Sequence, residues 1–221
     1  MGKKLQQYKN NLNNLQIANG MNAASENAQR LIEDANILFD QQRYPSALSL
    51  SILSIEESGK VSILREMAIA RNGKELKTAW QAYRSHTKKN VAWIFLDLIT
   101  DGANKLEDFR DMFKPNSEHP YILDNLKQIG FYTDCLAQSN WSIPTNVIDR
   151  DTTRSILNVA ECLLTKTNHT EREVELWASY LGPVKHESLQ YQKAALHDWL
   201  IAMKKEGLIE EGKVSIDDFL K

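Results

Sequence analysis

The chain is poor in residues that interrupt helices. Nine glycines and five prolines punctuate 221 residues, and between them apolar side chains recur at steps of three and four almost throughout. Two cysteines, Cys135 and Cys162, are too few for a disulfide framework, and neither belongs to a CxxC or Cys/His metal spacing. The longest apolar runs fall short of a bilayer span. Residues 2–22 are polar and rich in Asn and Gln, so neither a signal peptide nor a membrane anchor is expected. Alternating βαβ segments and repeats of fixed period are also missing. These absences leave a cytoplasmic, all-α helical bundle as the expectation.

Charge is scarce in the sum and uneven along the chain. The formal net charge of −2 argues against a protein wrapped in nucleic acid over its whole surface. Yet residues 60–89 hold eight basic side chains against Glu66 and Glu75, a local balance of +6, which leaves the remainder near −8. Such a patch can hold a phosphate backbone or can be a solvated helix face.

The spacing of apolar residues, caps and breakers divides the chain into helices. Leu31, Ile32, Ala35, Leu38 and Phe39 mark an amphipathic helix over about 23–42, preceded by a polar segment over 1–22. Pro45 suits the first turn of a second helix, which Asn72-Gly73 stops after about residue 71. A third begins near Glu75, carries Trp80 and Tyr83, and continues or restarts through the apolar run 91–99 to the Asp101-Gly102 turn. The pattern weakens over 104–120 and then reads as helix over 121–137, interrupted near Gly130, with 142–145 as a loop. Asp151 or Thr152 would cap a helix to about 167, Thr170 one to Leu181 with Glu173 in capping-box position, and a last helix spans 188–206 after the Gly182-Pro183 break. Residues 207–221 form a short hairpin around Glu211-Gly212-Lys213 or a frayed tail. The expected organisation is a bundle over 23–170 with a C-terminal helical extension, 171–221, packed on the same domain.

Two segments carry the chemistry. Residues 50–60, LSILSIEESGK, are too apolar for a surface helix, so Glu56, Glu57 and Lys60 sit where a charge needs a partner. The small residues Ser46, Ala47, Ser49, Ser51, Ser54, Ser58 and Gly59 fit close helix packing. Lys60 lies four residues after Glu56 and three after Glu57, within reach of either carboxylate. The second segment is Arg84-Ser85-His86-Thr87-Lys88-Lys89. A histidine can move a proton near neutral pH, while arginine and lysine offset the charge of a phosphodiester transition state. The other histidines, His119, His169, His186 and His197, lack such basic company and are expected at the surface or in supporting positions. No HExxH, paired CxxC, repeated ExxH or glycine-rich phosphate loop occurs, so catalysis without metal or cofactor is expected.

With these elements in order, the chain resembles the AbiV family of bacterial abortive infection proteins, a branch of the HEPN superfamily of helical bundles. The likeness runs over about residues 28–164. It is carried by Ala35, Leu38, Phe39, Tyr44, Ala47 and Ile55-Glu56-Glu57-Ser58-Gly59-Lys60, by Tyr83-Arg84-Ser85-His86 with Lys89, and by residues 127–134, KQIGFYTD. The resemblance implies a phage-defence protein with a fold shared by RNA-cleaving toxins that commonly work as homodimers, active residues near the dimer cleft. It makes RNA and a phage protein trigger the expected partners. One departure stands out. The superfamily signature separates an arginine from a histidine by four to six residues, and here Arg84 is only two before His86. Either His86, Arg84, Glu57, Lys60 and Lys89 form a rearranged catalytic site, or the protein is a non-catalytic interaction module that senses a phage product or blocks translation by binding.

Overall fold

The computed structural model describes residues 5–89, 119–165 and 167–209. Over these the chain is all-α apart from one small hairpin. The elements are α1 (Asn14–Asp40), α2 (Tyr44–Ala68), α3 (Gly73–Arg84), α4 (His86–Lys89), α5 (His119–Phe131), β1 (Asp134–Leu136), β2 (Asn140–Ser142), α6 (Pro144–Val147), α7 (Arg150–Cys162), α8 (Glu171–Leu181) and α9 (Leu189–Lys205). The apolar run 91–99, the Asp101-Gly102 turn, the weak segment over 104–118 and the hairpin expected near Gly212 lie outside the described residues.

α2 is the central rod. Its apolar and small residues surround the helix instead of forming a stripe, and it packs against α1, α3, α4, α5, α7 and α8. Leu48, Ile52 and Ile55 are wholly buried, each contributing about 1.5–3 kcal/mol of hydrophobic stabilisation. Ser49, Ser51 and Ser54 permit close packing because their hydroxyls are satisfied without side-chain partners. Ser49 and Ser51 donate back to Pro45 and Ala47 carbonyls, both at 2.9 Å, and Ser54 donates across to the Ala28 carbonyl of α1.

Two glycines decide how near the neighbouring helices come. A methyl group on Gly59 would overlap the Lys89 carbonyl oxygen of α4, and one on Gly130 would overlap the Ser49 hydroxyl and lie 3.1 Å from the Pro45 carbonyl. α4 and α5 are thereby drawn against α2, on which Glu56 sits.

Several boundaries differ from the sequence reading for identifiable reasons. α1 begins at Asn14, not near residue 23, because Asn13 and Gln16 form a reciprocal capping box and Ile17, Ala18 and Met21 are buried. α2 ends at Ala68 because Asn72 serves as the N-cap of α3, accepting from the Lys74 and Glu75 amides. Asp149 caps α7 through the Thr152 amide. The helix expected to residue 137 stops at Phe131, and the chain turns into an antiparallel hairpin pairing Cys135 with Trp141, its turn using positive φ at Gln138 and Ser139.

The C-terminal helices are tied to the bundle by a second buried polar group. Thr170 caps α8, but Glu173, expected to complete a capping box, points inward instead. Its carboxylate meets Arg65 of α2 at 2.9 Å and His169 Nδ1 at 3.0 Å. The Arg65 guanidinium lies 5.6 Å from the ring centres of both Trp177 and Trp199. His169, expected in an exposed or supporting position, is buried, and Asn22 of α1 pairs with both its backbone groups.

Candidate active site

Glu56 lies on the same face of α2 as Ile52 and Gly59, so it turns into the packed seam between α2, α4 and α5. Its side chain is 2% exposed. Burial raises a carboxyl's pKa, but hydrogen bonds from Lys127 and His86 and the charges of Lys127 and Lys89 outweigh that, holding Glu56 below the usual carboxylate range. The ionised carboxylate is the centre of the site.

Three groups converge on it. Lys127 Nζ from α5 donates to Oε1 at 2.5 Å, and His86 Nδ1 from the start of α4 lies 2.6 Å from Oε2. Lys89 Nζ, one helical turn beyond His86, is 3.4 Å from the same oxygen. Lys127 also reaches Asp124 at 2.9 Å. Burial lowers the Lys127 pKa, but Glu56 and Asp124 more than reverse it and the net shift is upward; at Lys89 burial prevails and the net shift is downward. Because an ionised carboxylate can only accept, the imidazole presents its N–H to Glu56 through Nδ1 and keeps Nε2 as its basic nitrogen. The His86 side chain is 58% exposed, so one end of this sealed network opens to solvent.

Glu57 and Lys60 stand beside this cluster without entering it. Lys60 Nζ donates to both Glu57 oxygens, at 2.6 and 2.7 Å, and lies 5.2 Å from the centre of the Tyr83 ring. Both charges act on Lys89 through space. Arg84 is turned away: it bonds the Tyr8 and Trp80 carbonyls and lies 4.9 Å from the Trp80 ring centre. Of the five sequence candidates, His86 and Lys89 are brought onto one carboxylate, Glu57 and Lys60 flank it, and Arg84 belongs to a neighbouring surface.

The sequence reading did not single out Glu56 or Lys127 for the site. Glu56 was legible in principle, because the i, i+4, i+7 series of Ile52, Glu56 and Gly59 places it on a buried face. Lys127 had only its membership in the KQIG stretch to mark it. Among the described residues no group of three or more His, Cys, Asp or Glu side chains could hold a metal ion.

Acid should weaken this arrangement. The folded-state pKa of Glu56 lies below the ordinary value of 4.5, so its contribution to stability is complete above about pH 4.5 and is lost as pH falls through the folded value. Urea midpoints measured from pH 7 to pH 3 should therefore decline, and Glu56→Gln, which cannot titrate, should give a shallower decline. Equal slopes would show that Glu56 is not held ionised by its neighbours.

A HEPN-type family model, AbiV, matches residues 16–165, from α1 through α7 and including every residue around Glu56. The chain belongs to the AbiV family. Membership points to a role in abortive infection, the defence of a bacterium against phage. No curated protein and no solved structure matches the chain. The AbiV match ends before α8 and α9, which the Glu173–Arg65 pair joins to the matched bundle. Among the described residues of this AbiV protein no helix is long and apolar enough to cross a membrane.

Proposed function

We propose that this protein is a dormant RNA-targeting toxin of the cytoplasm, released during infection to arrest translation or growth, and that His86 acts at a metal-independent phosphodiester-cleaving site. The observation that carries the reading is an imidazole, 58% exposed, whose Nδ1 is bound by a buried, ionised glutamate. In that arrangement Glu56 orients His86, as a carboxylate does for a catalytic histidine in general. His86 Nε2 takes the proton of a ribose 2′-hydroxyl as the 2′-oxygen bonds to phosphorus. The bond from phosphorus to the 5′-oxygen breaks, and that oxygen leaves with a proton from water.

HEPN domains commonly dimerise, and a homodimer is the proposed working state. Tyr121, Tyr132, Trp141 and Val147, on α5, the link that follows it, the hairpin and α6, are more than half exposed and offer apolar area for a second copy or a phage protein trigger.

Purified protein incubated with total RNA in EDTA should cleave it under activating conditions. His86→Ala should abolish cleavage and defence while costing no more than about 1–2 kcal/mol of stability, since only one hydrogen bond at a largely exposed ring is lost. RNA left intact by the wild-type protein would defeat the reading. The competing reading, a non-catalytic interaction module, draws on the depth of the Glu56–Lys127 pair. It requires His86→Ala to lower the melting temperature and defence together.

A further inference from the structure

The buried lysines at Glu56 are already neutralised. Lys127 is shared between Glu56 and Asp124, Lys60 is closed onto Glu57, and Lys89 faces Glu56. A polyanion approaching His86 needs other, exposed cations. α3 supplies them. Lys74, Lys77, Gln81 and Arg84 follow one another at steps of three and four, which puts them on one side of the helix. Leu76, Ala79, Trp80 and Tyr83 occupy the side packed into the core. The carboxylate on this helix, Glu75, is engaged elsewhere, by the Arg71 amide, Lys185 and His186.

Residues 5–13 run across this face as an extended strap. Trp80 Nε1 donates to the Asn10 carbonyl at 3.2 Å, Tyr8 packs edge-on against Trp80 with ring centres 6.2 Å apart, and Arg84 donates to the Tyr8 carbonyl. Between strap and helix lies a groove of about 530 Å³ lined by Lys9, Lys77, Trp80, Gln81, Arg84 and Ser85, with no carboxylate on its walls among the described residues. It ends at Ser85, and the next residue is His86. Arg84 is held by its backbone bonds and by the Trp80 ring, so its remaining N–H donors are fixed in place.

Resting on the reading of His86 as a cleavage site, we infer that this groove is the channel by which a single-stranded RNA chain reaches it, with Lys9, Lys77 and Arg84 taking backbone phosphates. The row of cations is what can follow a single-stranded backbone without reading its sequence, while Trp80, 8% exposed and packed against Tyr8 and Arg84, fixes the shape of the groove.

Binding can be measured without turnover by placing all proteins on the His86→Ala background in EDTA and titrating a fluorescein-labelled 15-nucleotide RNA at several NaCl concentrations. Lys9→Glu with Lys77→Glu should weaken binding at least tenfold and reduce the slope of log affinity against log salt by about 1.4, some 0.7 for each phosphate left without its lysine. Lys204→Glu with Lys205→Glu, the same charge change on α9, should leave both nearly unaltered. Equal losses in the two double variants, no loss in the first, or equal affinity for a duplex of the same sequence would each overturn the channel. The two readings fail separately when cleavage is followed on the His86-containing proteins. RNA bound with the predicted dependence on Lys9 and Lys77 but never cut removes the catalytic role and keeps the channel. RNA cut equally well by the Lys9→Glu, Lys77→Glu protein and the wild type removes the channel and keeps the catalytic role.

Discussion

Replacing Lys127 with methionine should lower the stability of the protein by about 3–5 kcal/mol, the usual cost of leaving one member of a buried ion pair without its partner. For a chain of this size that corresponds to a fall in melting temperature of roughly 10 °C. The reason is positional. Lys127 and Glu56 are 6% and 2% exposed and 2.5 Å apart, so neither can find water when the other is removed. Methionine preserves most of the volume, and the loss is electrostatic instead of a cavity. Lys89 and His86 remain on the other carboxylate oxygen, which places the effect toward the lower end of the range. Two comparisons sharpen the test. Lys88→Met, at an exposed position of α4, should change stability by no more than about 0.5 kcal/mol. Glu56→Gln combined with Lys127→Met should recover part of the loss, because removing both charges also removes the desolvation cost. A Lys127→Met protein that melts with the wild type would show that α5 is not anchored through this pair.

Glu173→Ala should cost about 2–3 kcal/mol for the same physical reason, at Arg65 in the last turn of α2. Glu173 is 1% exposed, while Arg65 keeps a quarter of its side-chain surface in water, so the stranded guanidinium is partly rescued by solvent and the penalty is smaller than at Lys127. The effect should also be local. Glu173 links α8 to α2, and amides of α8 and α9 should gain hydrogen exchange before those of α1, α2 and α7. Since the AbiV match ends at residue 165, this variant separates the contribution of the C-terminal helices from that of the matched bundle. Uniform loss of protection across all helices would mean that α8 and α9 are not a separable unit.

The bundle was visible in the sequence because apolar spacing is a local property. Leu31 through Phe39 on α1, the all-round burial of α2, and the stripe of Ile156, Leu157 and Ala160 on α7 each declare a helix without reference to the rest of the chain. Boundaries were legible where a cap, a proline or a Gly-Pro break marked them, as at Pro45, Thr170 and Gly182-Pro183. The hairpin at residues 134–142 was missed because three-residue strands carry too few alternations to outweigh a helical reading, and its turn contains no glycine to announce positive φ.

The candidate site divides in the same way. His86 and Lys89 were singled out because residues three apart on a helix share a face, and that is all the information such a pairing requires. The choice between Glu56 and Glu57 turned on which face of α2 is covered, and adjacent carboxylates differ by about a quarter turn of helix. Arg84, two positions from His86, is carried onto another surface by the extended backbone at Ser85 between α3 and α4.

By itself the sequence determined the helices, the AbiV-type elements and the gathering of basic residues between positions 60 and 89, since each depends on neighbours within a few turns. Only the tertiary structure decided that Glu56 would be the carboxylate at the centre, that Lys127, 71 positions away, would close on it, and that Arg84 would face the strap. Contacts of that kind depend on how near two helices can approach. Here the absence of a side chain at Gly59 and Gly130 set that distance, and local residue patterns carry no measure of it.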